Sequence, residues 1–405
     1  MDRALSTMGS LLRPVDPERR LVLIAAGEAW SPLELPPPAE DADALAWGRG
    51  ASPSGTPVPR AVGTAMRREL ALASVRARPP SGWRIAHVHR LAPQRAGTGP
   101  LRRRVRRALL SGAIVELTRG GDTPRLLDRV LDEPGVAERS APRLSSGGAV
   151  VVAGRLGDDA VLVRLAPEGA DGDPAVAAGA LRALTGDPLV PRLLAEGTTL
   201  GISWTLETVL SGRRPDRLTD ALAAAGAEFV VRLPTGEDPP TSLAEDLSEI
   251  GRFVPSRRQA IDRLAGSIDV GDLPAVLRHG DLWAGNLLTH RGRLSGVIDW
   301  DAWHPRAVPG ADLLELYASG ERLRARRPLG QVWRERPWRD DSFRRLARGH
   351  ERRFGLRPDD DRWEIVGVAW WAAKVAGTLR RLPERGADER WLADIVDPVL
   401  DELRA

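Results

Sequence analysis

Residues 277–301 read LRHGDLWAGNLLTHRGRLSGVIDWD. Within them His279-Gly280-Asp281-Leu282-Trp283-Ala284-Gly285-Asn286 has the spacing H-x-D-x-x-x-x-N, followed by a strand-like apolar run over 295–298 and then Asp299, 18 positions past Asp281. This spacing suits phosphoryl transfer. A first Asp accepts or orients the proton of an attacking hydroxyl, and an Asn five residues later turns its amide oxygen to a magnesium ion. A second Asp, at the end of a hydrophobic strand, supplies an anionic oxygen to the metal that bridges the nucleotide phosphates. Magnesium is a hard cation that prefers such oxygen ligands and keeps several waters. The plain alternative is a polar turn between helices, and Asp-x-x-x-x-Asn alone arises often by chance. The whole run lifts the match: His at −2, Gly at −1, Gly-Asn-Leu-Leu after it, and Gly-Val-Ile-Asp-Trp-Asp at the right distance.

The chain has 405 residues, more than one hydrophobic core usually supports, so two or three domains are expected. It contains no cysteine, which excludes disulfides, zinc-thiolate sites and a cysteine nucleophile. Of the 59 basic residues only Lys374 is lysine and 58 are arginine, a skew that looks like a preference for GC-rich codons and weakens any single arginine as evidence. Residues 1–140 carry 22 arginines against 15 acids, whereas the remainder carries 37 basic residues against 40 acidic ones. The longest apolar runs, such as 21–26 and 149–153, fall far short of the roughly 20 residues a bilayer-spanning helix needs. No signal-peptide pattern opens the chain, so a cytoplasmic location is expected.

Outward from the motif, 21–26 reads as a strand, 34–43 as a turn-rich connector, and 114–117 with 123–131 as strand, turn and helix. Residues 1–140 are therefore expected to form a small α/β domain. Residues 60–107 hold 13 arginines and one acid, Glu69. This stretch suits a surface for phosphate, acidic lipid or nucleic acid. A solvated helix face is the favoured reading, because no aromatic interleaving or nucleic-acid motif accompanies it. His87 and His89 would share one strand face, but no third metal ligand suggests itself. Residues 134–146 read as a linker. Then 149–153 and 160–165 form a hairpin around 154–159, 176–184 a helix, 191–195 a strand start and 202–209 a strand. Mostly helical periodicity follows, clearest over 216–225, 256–265, 311–323, 341–354 and 363–382. Trp363, Trp370 and Trp371 lie at the spacing of a packed core helix. Asp359, Asp360, Asp361 and Glu364 suit a solvated helix start, or a cationic acceptor.

HGDLWAGNLL with VIDWD closely resembles the aminoglycoside phosphotransferase and choline kinase superfamily, the phosphotransferase enzyme family, over about 142–400. The resemblance implies an α+β, bilobal fold similar to that of protein kinases. A small β-rich N-lobe at 141–209 would precede a larger helical C-lobe at 210–405, with the catalytic loop at 279–286 and the metal segment at 298–301. By the family pattern Asp281 is the catalytic base, Asn286 and Asp299 are magnesium ligands, and His279 positions the catalytic loop. Asp301 assists a second metal or the substrate, and Asp312 braces the loop. ATP and Mg2+ are the implied cofactors. About 13 residues separate Asp299 from Asp312 and no Ala-Pro-Glu follows, which leaves little room for an activation segment and favours a small-molecule acceptor.

The small lobe fits more loosely. Gly147 and Gly148 resemble the turn that covers the nucleotide phosphates with backbone N–H groups. Arg164 stands where the family places a phosphate-holding lysine, and arginine keeps the charge with a longer, planar head. The following helix should offer this cation a glutamate but contains no acid. Either Glu168, Asp171 or Asp173, which precede it, substitutes, or the pair is missing. Glu207 and Val209 resemble the hinge whose backbone bonds the adenine edge. The expected function is an ATP- and magnesium-dependent kinase that transfers the γ-phosphoryl group to a hydroxyl of an aminoglycoside, sugar, amino alcohol or similar metabolite. The alternative is a pseudokinase-like nucleotide-binding or scaffold protein whose N-terminal domain carries the activity or the partner contact.

Overall fold

The computed structural model describes residues 126–140, 142–144, 149–170, 172–325, 327–357 and 361–403, together with the backbone of four earlier strands. These four are β1 (Arg20–Ala25), β2 (Ala44–Ala46), β3 (Arg84–Leu91) and β4 (Gly112–Thr118), in one sheet of order β2-β1-β4-β3. Strand β1 pairs parallel with β2, and β4 pairs antiparallel with both β1 and β3. The strands expected at 21–26 and 114–117 are β1 and β4, and His87 and His89 lie on β3. The connector at 34–43, the rest of the basic stretch at 60–107, Gly147, Gly148, Asp171, Asp359 and Asp360 lie outside the described residues.

After α1 (Leu126–Asp132) come β5 (Arg143–Leu144), β6 (Val150–Leu156), β7 (Asp159–Pro167), the helix α2 (Pro174–Ala183), β8 (Leu193–Thr199) and β9 (Ile202–Thr208). The five strands form a sheet of order β5-β6-β7-β9-β8. The hairpin turn is tighter than expected, only Gly157-Asp158, and Gly154 stays in the strand. A Cβ on Gly154 would collide with Val136 and the carbonyl of Ala137, so glycine there serves close approach rather than a turn. On β7, Val161, Val163 and Leu165 alternate onto one face and pack with Val150, Val152, Trp204, Leu206 and the α1 residues Leu127 and Val130. The opposite face is polar and buried, carrying Arg164, Ser203, Thr205 and Glu207. The described chain divides into two compact units, one running to Ala175 and taking in Leu194–Thr208, the other built of Val176–Leu193 and Val209–Ala405.

The second unit is mainly helical. It contains most of α2, then α3 (Asp220–Arg232), β10 (Thr235–Gly236), α4 (Ser242–Phe253), α5 (Arg258–Ser267), β11 (Ala275–Arg278), β12 (Leu287–His290), β13 (Arg293–Val297) and β14 (His304–Ala307). It ends with α6 (Ala311–Ala325), α7 (Leu329–Arg334), α8 (Asp341–Phe354), α9 (Arg362–Arg381), α10 (Glu389–Ile395) and α11 (Asp397–Glu402). The helix expected at 216–225 starts later, because the Thr219 hydroxyl accepts from the Leu222 N–H and caps it there. Helix α4 escaped the sequence reading. Its Leu243, Leu247 and Ile250 form a buried stripe spaced i, i+4, i+7 inside an otherwise polar segment. Trp363, Trp370 and Trp371 on α9 are each at most 1% exposed, so the expected core helix is present. Together the two units make an α+β chain with a β-rich and a helical part.

One buried histidine ties stability to pH. His350 on α8 is fully buried beside Phe354 and Trp363, and neither ring nitrogen has a hydrogen-bond partner among the described residues. Burial, with the nearby Arg353 charge, pushes its pKa down from 6.5 to about 3. The unfolded chain therefore binds a proton that the folded one refuses, and stability falls as the pH drops below 6.5. The expected slope is about 1.4 kcal/mol per pH unit until about pH 3. Urea midpoints at pH 7 and pH 5 should show this loss, and His350→Leu should remove its share.

Candidate active site

The motif residues emerge from a short sheet in the helical unit. Strand β11 lies between β10 and β14, and the chain leaves it at Arg278. Gly280 takes a φ of 82°, and a Cβ there would run into the carbonyl oxygen of Ala302, so only glycine allows this turn. The Asp312 carboxylate, at the start of α6, accepts the His279 N–H at 2.6 Å and the Gly280 N–H at 2.8 Å. Burial pushes the Asp312 carboxyl up, a push partly offset by His279 and these two N–H bonds.

His279 is buried with its ring against Trp300, their centroids 4.4 Å apart. Its Nδ1 accepts the Asp281 N–H at 3.2 Å, which assigns the Nε2–H as donor to the Ile298 carbonyl at 3.0 Å. The imidazole thus ties the loop bearing Asp281 to the segment that leads into Asp299. A second tie runs from the Ile298 N–H to the Asn286 carbonyl at 3.0 Å. The Asn286 amide nitrogen donates to the Asp281 carbonyl at 2.8 Å and to its carboxylate at 3.2 Å. Its oxygen is thereby the end left for a cation. Asp299 sits at φ 74°, a strained conformation for a non-glycine residue that is held by its surroundings.

The oxygen donors of this set are the Asn286 amide and the Asp299 and Asp301 carboxylates. Among the described residues no group of three or more His, Cys, Asp or Glu is arranged to hold a metal. Oxygen donors of this kind are those a hard cation such as magnesium takes together with phosphate oxygens and water.

Two residues that the sequence reading did not nominate join Asp281. The Lys374 ammonium on α9 lies 2.6 Å from the Asp281 carboxylate and 2.9 Å from that of Glu315 on α6. Glu315 also accepts the Trp370 indole N–H at 2.6 Å. Burial pushes the Asp281 carboxyl up, but the Lys374 charge and hydrogen bond, with His279 and Arg381, outweigh it, and the net direction is down. Asp281 is accordingly ionised at neutral pH. The usable signal in the sequence was the lone lysine itself.

In the β-rich unit the Arg164 Nε lies 2.9 Å from the Glu207 carboxylate, both side chains nearly buried. Of the two expectations for Arg164, the missing pair is overturned. An acid on the adjacent strand β9, Glu207, supplies the pair, and Asp171 lies outside the described residues. Strand pairing explains this, since Arg164 faces Thr205 and Glu207 faces Leu162, which puts the two side chains diagonally on one face of the sheet. Val209, just past β9, is half exposed. Glu364 is held by Arg336 and Arg339 and is not a free acidic patch.

Residues 141–336 match the model of a family described as phosphotransferase enzyme family. A search of curated proteins returns no match. Among solved structures, a type VIII aminoglycoside-3'-phosphotransferase is 20% identical with a TM-score of 0.42, over 60% of this chain and 97% of the other. An aminoglycoside phosphotransferase from Streptomyces rimosus is 21% identical with a TM-score of 0.40, over 60% and 95%. A macrolide 2'-phosphotransferase from Brachybacterium faecium is 16% identical with a TM-score of 0.43, over 66% and 97%.

Proposed function

We propose, because residues 141–336 belong to the phosphotransferase enzyme family, that this chain is an ATP- and magnesium-dependent kinase acting on the hydroxyl of a small molecule. The observation that carries the reading is the hydrogen-bonded constellation of Asp281, Asn286 and His279, anchored on Asp312 and running into the strained Asp299. In this reading the acceptor oxygen attacks the γ-phosphorus, its proton goes to the Asp281 carboxylate, and the bond to the β,γ-bridging oxygen breaks to release ADP. Asn286 and Asp299, with Asp301, would hold the magnesium, which when bound neutralises charge on the phosphates. The chain's own part is to keep Asp281 ionised, chiefly through the Lys374 charge, and aimed, through the bonds to Asn286 and His279 described above. Arg164, held by Glu207, is the residue we assign to the α/β-phosphates, with the backbone of Glu207 and Val209 toward the adenine and that of Gly147 and Gly148 toward the phosphates. We assign the acceptor to the hydroxyl compounds expected above, an aminoglycoside, sugar or amino alcohol, and residues 1–140 to a separate N-terminal domain.

Thermal unfolding with and without Mg-ATP tests the reading. At about 100 times its dissociation constant the ligand should stabilise the protein by about 2.7 kcal/mol. Asp299→Ala should lose the magnesium-dependent part. No stabilisation at millimolar Mg-ATP would favour the non-catalytic scaffold reading instead.

A further inference from the structure

We infer that Lys374 is the positioning residue of the catalytic centre, an internal ammonium that holds Asp281 in place for the acceptor hydroxyl. This rests on the kinase reading above. The chain writes 58 of its 59 basic residues as arginine. At the single exception the ammonium nitrogen bridges two carboxylates, Asp281 at 2.6 Å and Glu315 at 2.9 Å. An ammonium is compact, with three rotatable donors. A guanidinium is a planar fork with a longer reach, and would displace one carboxylate or the other. The position thus demands what arginine cannot supply, against the preference of the rest of the chain.

The surroundings show which partner is fixed and which is left to work. Glu315 is 3% exposed and is also bonded by Trp370, so it is a rigid anchor, and the Lys374 side chain is 16% exposed. Asp281 is the exposed end of the chain of bonds, at 39%. Its Oδ1 is taken by Lys374 and its Oδ2 by the amide of Asn286, so both carboxylate oxygens are held in orientation from two sides. Helix α6 supplies both braces of the centre, Asp312 under the loop backbone and Glu315 under Lys374. Burial pulls the Lys374 pKa down, but the Glu315 and Asp281 carboxylates outweigh it and the net direction is up, so the ammonium stays charged. A misplacement of about 1 Å in a reacting group can cost on the order of 10²-fold in rate.

The test uses the 405-residue chain with Mg-ATP, and water as the phosphoryl acceptor. Lys374→Met should lower kcat for phosphate release by about 10–10²-fold while KM for Mg-ATP stays within about threefold. Lys374→Arg should restore little of it. Lys374→Met leaves Glu315 buried without its cation, so the double variant Lys374→Met/Glu315→Gln, which removes both charges, is expected to fold and show the same kcat loss. A 15N-lysine sample carries a single side-chain amine, and its signal should shift in Asp281→Asn. A folded double variant with wild-type kcat, a loss shared equally by kcat and Mg-ATP affinity, or an amine signal indifferent to Asp281→Asn would each overturn the assignment. A wild type that neither binds nor hydrolyses Mg-ATP would overturn the kinase reading, and this assignment with it, whatever the amine signal does.

Discussion

Asp281→Asn is expected to reduce phosphoryl transfer by about 10²–10⁴-fold, the usual worth of a positioned base, while changing KM for Mg-ATP by no more than about threefold. The asymmetry follows from the bonds on the page. The substitution keeps the shape and the contact with Asn286 but removes the charge assigned to the hydroxyl proton, and the oxygens assigned to the metal belong to other residues. Lys374 retains Glu315 as a partner, so the fold should survive. Steady-state phosphate release or acceptor phosphorylation measures the effect, and unchanged turnover would remove Asp281 from the mechanism.

Asp312→Ala should be the most damaging single change to stability near the site, at about 2–5 kcal/mol. Its carboxylate accepts two N–H groups, from His279 and Gly280, at a buried position where water cannot replace it. Removing it strands both donors and frees a backbone turn that only glycine can make. Because His279 orients the Asp281 backbone and grips Ile298, turnover should fall as well. Asp312→Asn, which keeps one acceptor oxygen, should lose less. Urea denaturation followed by tryptophan fluorescence reads the stability, and a cost below about 1 kcal/mol would contradict this account.

The division between what could be read and what could not follows sequence separation. His279, Gly280, Asp281, Asn286 and Asp299 lie within one stretch, and their spacing reflects a local turn, a short strand and a glycine-only conformation. Local geometry is written in local sequence, so the motif, the valine hairpin and the tryptophan-rich core helix were legible, whereas the bracing by Asp312, 33 positions from His279, was implied by the family resemblance. Helix α4 was not legible, because three apolar residues in a polar segment make a stripe only after the neighbouring helices cover it.

The ion pairs belong to the other kind of information. Glu207 reaches Arg164 across 43 positions, and Lys374 reaches Asp281 across 93. A charged side chain shows no periodicity that names its partner. Burial makes an unpaired charge costly, and the partner is whichever opposite charge the packing of sheet or helices brings within reach. Strand register brought Glu207 to Arg164, and the packing of α9 against α6 brought the chain's single lysine to Asp281.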